Sequence, residues 1–427
     1  MASGRRKPDV AVVYSSLAPK SRGSHDLAFY LGGLLFLGGY STVHMVEFQT
    51  SSAAKSQDEP SLVGVKVLPF FESTPQSIQE CGDFHPRAKM EVLSRCQVIL
   101  VCVHGPETKD CAQALRKLIP DHGGRGLFAF QIGCRHYSHL RDAFNESGNW
   151  TFEGAVGFRV VWDESGTCLG PLKHGSIVVE RLSRDKADMG TKYTNLLETM
   201  GIPMLFQKTV TALSWGTMVH DLHLYAAAAL GVKVDALFAL RDRRMIYALM
   251  MRECLSALST AAGQGGWSPS NQASCAVSLE WIEQLLCLPD ALFWPFKRLF
   301  YRPALPKPPS PVLVDRLDGK CGDVAWVLKD LVEVGNKYGA PMPVCTRVLH
   351  LLSKNVAPED AVATTLSLKD VRGANSSLSD STRRLIWSIL RLCAVVSALI
   401  CLWMLLDTLP RREITLGDSE PPTHEEL

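Results

Sequence analysis

The sequence has no Cys-x-x-Cys pair, although it carries 13 cysteines. An odd count without that spacing, or any other metal-ligand spacing, argues against a zinc ribbon or a disulfide framework. It suits free thiols in a reducing compartment, and no metal is expected. There is also no excess of charge of one sign. The 45 Lys and Arg against 43 Asp and Glu leave a net charge of +2, so the basic footprint of a nucleic-acid binder is missing. No secretory leader pattern precedes Asn145-Glu-Ser or Asn149-Trp-Thr, and these glycosylation-type tripeptides read as chance occurrences in a cytosolic domain. Finally, the first turn after the first apolar run lacks Gly-x-Gly-x-x-Gly, the pattern that lets backbone approach a dinucleotide pyrophosphate.

What is present is apolar and ordered in a recognisable way. Of the 427 residues, 46% are hydrophobic, enough for two domains and further segments. Asp9 to Tyr14 reads as a first strand, Leu27 to Leu37 as a helix closed by Gly38-Gly39, and Thr42 to Val46 as a second strand, a right-handed βαβ unit. Cys96 to Val103 is a buried-strand run, and Leu127 to Gly133 reads as another strand. Residues 150–182 alternate as antiparallel strands do. Lys186 to Met200 reads as a helix, and beyond it the chain is helical, over Leu213 to Leu230 and Asp235 to Gly263. In the first of these, Thr217, Asp221 and Tyr225 recur at i, i+4 and i+8 on one face, with His220 and His223 beside them. Spacing alone reads this polar line as a solvated face.

The same line carries a resemblance. Trp215-x-Thr217, with Asp221 and Tyr225 four and eight residues on, leads into the small-residue run Ala226 to Ala229. It resembles the Trp-x-Lys, Asn, Asn signature of the ketopantoate reductases (2-dehydropantoate 2-reductases), with Thr217 at the lysine position. A second stretch, Leu313 to Leu352, is similar to that family's later helical motif. Asp315, Gly319, Gly335, Gly339, Pro341, Pro343 and Val344 fit it, with Asp323 in place of the catalytic-site glutamate and Pro311 in place of the substrate-binding serine. Glu253 takes the family's acidic position. The matches run from about Asp9 to Lys354.

The resemblance implies an α/β Rossmann-like domain over 9–205 and an all-helical domain over 206–354. It implies NADP as cofactor, a small carbonyl ligand and a homodimer as partners, and a site at Thr217, His220, Asp221 and Asp323. On the cofactor side, Gly23, His25 and Ala28 fall on the three glycine positions and His104 on that of a phosphate-binding lysine. Gln131 and Gly133 match the Leu-Gln-Asn-Gly strand end, with Ile132 in place of the asparagine. His25, His104 and Ile132 all argue against tight NADP binding. A threonine cannot carry the cation that polarises a carbonyl as hydride arrives. Three readings follow: a catalytically impaired binding or scaffold protein, an active NADP-dependent reductase of a 2-oxo acid or related carbonyl, and a purely structural protein.

The last segment stands outside the resemblance. Residues 355–384 are polar and Ser-rich, as a linker is. Leu385 to Leu406 is 22 residues with one charge, Arg391, long enough at ~1.5 Å per residue to cross the roughly 30 Å apolar core of a bilayer. Residues 407–427 are a polar tail. The expectation is a single-pass C-terminal membrane anchor with the main domain cytosolic.

Overall fold

The computed structural model describes residues 7–15, 23–39, 41–49, 64–79, 81–103, 105–121, 124–130, 137–163, 167–171, 175–180, 193, 195–208, 210–263, 268–270, 277–296 and 325–353. Met1–Val371 form one compact unit, and Arg372–Leu427 a second that lies wholly outside the described residues. The expected anchor and tail fall there, and the whole of the expected linker, 355–384, also lies outside the described residues. Among the described residues, no helix is long and apolar enough to cross a membrane.

The chain opens as its apolar runs require. β1 (Asp9–Ser15), α1 (Gly23–Leu37) and β2 (Thr42–Phe48) form the expected unit, with β1 and β2 parallel. β1 is buried on both faces. Val10, Val12 and Tyr14 pack with Leu27, Leu31 and Leu35 of α1, while Ala11 and Val13 enter a second core with Cys111 and Leu115. A side chain buried this way contributes about 1.5–3 kcal/mol, and the period of two divides the strand between the two layers.

β6 (Val98–Cys102) and β7 (Gly126–Ala129) confirm the two further strands expected there. β3 (Lys66–Val67), β4 (Gln76–Ser77) and β5 (Phe84–Ala88) carry no clear alternation and were not foreseen. β8 (Trp150–Val156), β9 (Val160–Trp162), β10 (Cys168–Pro171), β11 (Ile177–Glu180) and β12 (Met204–Gln207) follow. The main sheet has the order β12-β11-β8-β7-β6-β1-β2-β5, and a smaller one runs β4-β3-β10-β9. The antiparallel reading of 150–182 holds for β8 with β11 and for β9 with β10, but β8 also lies parallel to β7. α2 (Thr108–Leu118) and α3 (Tyr137–Phe144) cover one face. The boundary expected at 205/206 falls within β12.

Beyond the sheet the chain is helical: α4 (Thr211–Ala229), α5 (Val234–Ala239), α6 (Arg241–Gly263), α7 (Leu279–Leu286), α8 (Asp290–Phe293), α9 (Trp326–Lys337) and α10 (Pro343–Ser353). The apolar period of 235–263 is one run in sequence but two helices, because extended Leu240 breaks it. Ser278 caps α7 by accepting from the Trp281 N–H. The start of α10 is capped from afar, with both Glu253 oxygens accepting from the Val344 and Cys345 N–H groups at 2.9 Å.

Candidate functional site

α4 is buried almost throughout, and this corrects the solvated-face reading. Asp221 is 6% exposed, His220 2%, His223 4% and Tyr225 1%. A helix so enclosed in apolar neighbours has to pair its polar groups internally. The close packing extends to backbone. A Cβ added at Gly216 would lie 1.8 Å from the carbonyl oxygen of Ser270, whose own N–H donates to the Ala212 carbonyl at 2.9 Å. Gly216 therefore lets a neighbouring segment lie against α4 directly beside Thr217.

The partner of the polar line is Arg159, on the turn between β8 and β9. Its Nε donates to Asp221 Oδ2 at 2.8 Å, with both side chains about nine-tenths buried. Burial alone would push the guanidinium down. Asp221 and Tyr225, both hydrogen-bonded to it, outweigh that and hold it above its usual range. On the other side, His220 Nδ1 lies 3.5 Å from Asp221 Oδ1, and His223 Nδ1 lies 2.8 Å from the His220 carbonyl. Tyr247 donates its hydroxyl to that same carbonyl at 2.7 Å. Thr217 is half-buried one turn before Asp221. Sequence reasoning placed Thr217, His220, Asp221 and Tyr225 together and missed Arg159, which lay unremarked in a strand-like stretch. The available signal was a lone arginine between apolar residues.

Several expected residues fall outside the described ones: Asp323, Pro311, His104 and the stretch from Gln131 through Ile132 to Gly133. Gly23 and His25 lie in the first turn of α1. Ala28 is fully buried, in the core that α1 shares with the sheet. One turn on, Gly32 extends that contact: a Cβ there would meet Met45 Sδ at 2.4 Å. Glu47 stands at the carboxyl end of β2, in register with Tyr14. An acidic residue at this point of such a fold holds ribose hydroxyls, and a 2′-phosphate would meet its charge.

A second acidic feature lies at the start of α4, where Val210 provides no side-chain cap. Glu153 of β8 faces Glu180 of β11, and Thr211 Oγ1 sits 3.5 Å from Glu153 Oε2. Burial, and then the Glu180 charge, push the Glu153 carboxyl up to about 7. A carboxyl whose folded pKa is raised favours the folded state fully only below its unfolded value. That contribution is lost as pH rises from about 4.5 through about 7. Glu153→Gln is therefore expected to stabilise the protein at pH 8 by about 1–3 kcal/mol, allowing for solvent screening, and by little at pH 4. Urea denaturation at both pH values measures it, and an equal effect at the two would contradict the assignment.

No family model matches the chain, and no curated protein sequence matches it. Solved structures do. The chain is similar to 2-dehydropantoate 2-reductase from Geobacter metallireducens GS-15, at 16% identity and TM-score 0.56, over 82% of this chain and 100% of that one. D-mandelate dehydrogenase, in a ternary structure with NADH and anilino(oxo)acetate, matches at 12% identity and TM-score 0.54, over 83% and 100%. The dimeric ketopantoate reductase from Staphylococcus aureus matches at 11% identity and TM-score 0.51, over 83% and 99%. The likeness is one of fold: a Rossmann-like sheet followed by helices, as in these dehydrogenases.

Proposed function

We propose that this chain is a ketopantoate-reductase-like protein in which catalysis is impaired and the cleft serves binding. One observation carries the reading. Thr217 stands where the resemblance puts the catalytic lysine, and the buried cation facing the same line, Arg159, is held by Asp221 and Tyr225. A guanidinium pushed above its usual value cannot donate a proton to a forming alkoxide, and loss of a general acid typically costs about 10²–10⁴ in rate. Purified protein given NADH or NADPH and ketopantoate should show no turnover. Thr217→Lys should restore little, because the new amine meets the Asp221 carboxylate. Turnover at an ordinary rate of about 1 s⁻¹ or more would sink the proposal. It would favour the second reading, an active reductase in which Arg159 polarises the carbonyl and His220 supplies the proton.

If a nicotinamide cofactor is retained, Glu47 favours NADH. Calorimetry should give NADPH the weaker affinity, by at least about tenfold or 1.4 kcal/mol. Equal or tighter NADPH binding would contradict this role. A homodimer is part of the same proposal, supported by the dimeric reductase that shares the fold.

Membrane tethering through Leu385–Leu406 is also proposed, on the length and apolarity of that stretch. The Arg residues at 383, 384 and 391 favour a cytosolic main domain, although Arg411 and Arg412 flank the other end. The full-length chain expressed in cells should stay in the membrane pellet through alkaline carbonate. Release into the supernatant would count against a spanning anchor.

A further inference from the structure

We propose that His220, Asp221 and His223 form a binding site for a transition-metal ion, Zn²⁺ by preference, on the buried helix α4. The inference goes beyond the reading above, since a metal can be held whether or not a carbonyl is reduced.

Each of the three residues offers one donor atom, all within 4.8 Å of one another, and all three side chains are buried. In a tetrahedral zinc site, bonds of about 2.0–2.2 Å place neighbouring donors roughly 3.4 Å apart. His220 Nδ1 and Asp221 Oδ1 already stand at 3.5 Å.

The second shell is in place. The His220 carbonyl can only accept, so the 2.8 Å contact puts the proton of His223 on Nδ1 and makes Nε2 the ring nitrogen that would ligate an ion. A ring N–H anchored on a backbone carbonyl is how metal-bound histidines are commonly oriented. Tyr247 braces the same carbonyl. The ring of His223 is further fixed between Phe238 and Tyr247, at centroid distances of 6.0 and 5.8 Å. Arg159 holds the second oxygen of Asp221 at 2.8 Å, so the carboxylate would be shared between a guanidinium and the ion. That competing cation should make the site moderate in strength.

Two imidazoles and one carboxylate suit Zn²⁺ and its spectroscopic substitute Co²⁺ rather than Mg²⁺ or Ca²⁺, which take oxygen ligands. Three protein ligands leave a fourth position for water or an oxygen ligand, the open arrangement of catalytic rather than structural zinc. The sequence does not announce the site, because the His-x-x-x-His spacing of familiar helical zinc sites is replaced by neighbours at i, i+1 and i+3.

The test uses the full-length protein in detergent, stripped with a chelator and titrated with Co²⁺. One equivalent should bind, with visible d–d absorption and without the thiolate-to-cobalt band that cysteine ligands give. Zn²⁺ should displace it. His220→Gln and His223→Gln should each weaken Co²⁺ at least tenfold, and Arg159→Gln should tighten it. No stoichiometric uptake, a thiolate band, or unchanged affinity in both folded histidine variants would each overturn the site. If neither histidine variant folds, the stoichiometry and spectrum of the unaltered protein decide: one nitrogen- and oxygen-bound equivalent supports the proposal, and anything else refutes it.

Discussion

Arg244→Ala is expected to lower unfolding stability by at least about 3 kcal/mol, because several buried acceptors lose their donor at once. The side chain has no exposed surface, yet every branch of its guanidinium is used. Nε donates to the Leu286 carbonyl, Nη2 to that of Leu288, and Nη1 to the Phe238 carbonyl and the Asp290 carboxylate. The Phe293 ring lies 4.0 Å from the guanidinium carbon. One residue of α6 thus satisfies carbonyls near the ends of α5 and α7 and ties α8 to them. Those carbonyls have no further turn of helix to bond to, and each orphaned acceptor costs about 1–3 kcal/mol. Lysine reaches with a single point of charge where a planar fork is needed, so Arg244→Lys should recover less than half of the loss. Urea unfolding compares the three proteins. A loss under about 1 kcal/mol for alanine would show that water or side-chain shifts replace the fork.

Arg159→Ala should cost about 3–5 kcal/mol at pH 8, because it strands the Asp221 carboxylate in a nearly dry site. A lone buried carboxylate takes up a proton more readily than its unfolded counterpart. The destabilisation should therefore be present at high pH and shrink as pH falls toward 4. Arg159→Met combined with Asp221→Leu removes both charges and should return most of the stability, since a buried ion pair is often no better than apolar groups of similar volume. Denaturation of the single and double variants at pH 8 and pH 5 gives the coupling directly. A pH-independent loss, or a double variant no better than Arg159→Ala, would mean that the guanidinium acts through packing.

The sheet was readable wherever burial wrote itself as an unbroken apolar run. Val10 to Tyr14 and Val98 to Cys102 are such runs because both faces of a central parallel strand are covered. Edge and short strands leave no such mark. Phe84 to Ala88 includes a proline and a histidine, and its place beside β2 is set by the partner strand. The spacing of Thr217, Asp221 and Tyr225 correctly put them on one face, but spacing says nothing about what covers that face. The covering group is Arg159, 62 residues away in the chain, and only folding brings it there. The Gly216 contact is hidden for the same reason: a glycine in a helix gives no sign of which backbone will press on it.

The Glu253 cap makes the beginning of one helix depend on a residue 91 positions earlier. Burial pushes the Glu253 carboxyl up, and the two N–H groups of α10 offset only part of that rise, so each side needs the other. During synthesis, α6 leaves the ribosome long before Val344 and Cys345 exist, at about 5–20 residues per second. For those seconds the carboxylate lacks its donors and favours an exposed or protonated state over its final buried one. The helical part is thus expected to close late and as one piece. A released chain ending just short of Pro343 should remain open to proteases along α6, and one that includes the eleven residues of α10 should be closed to them.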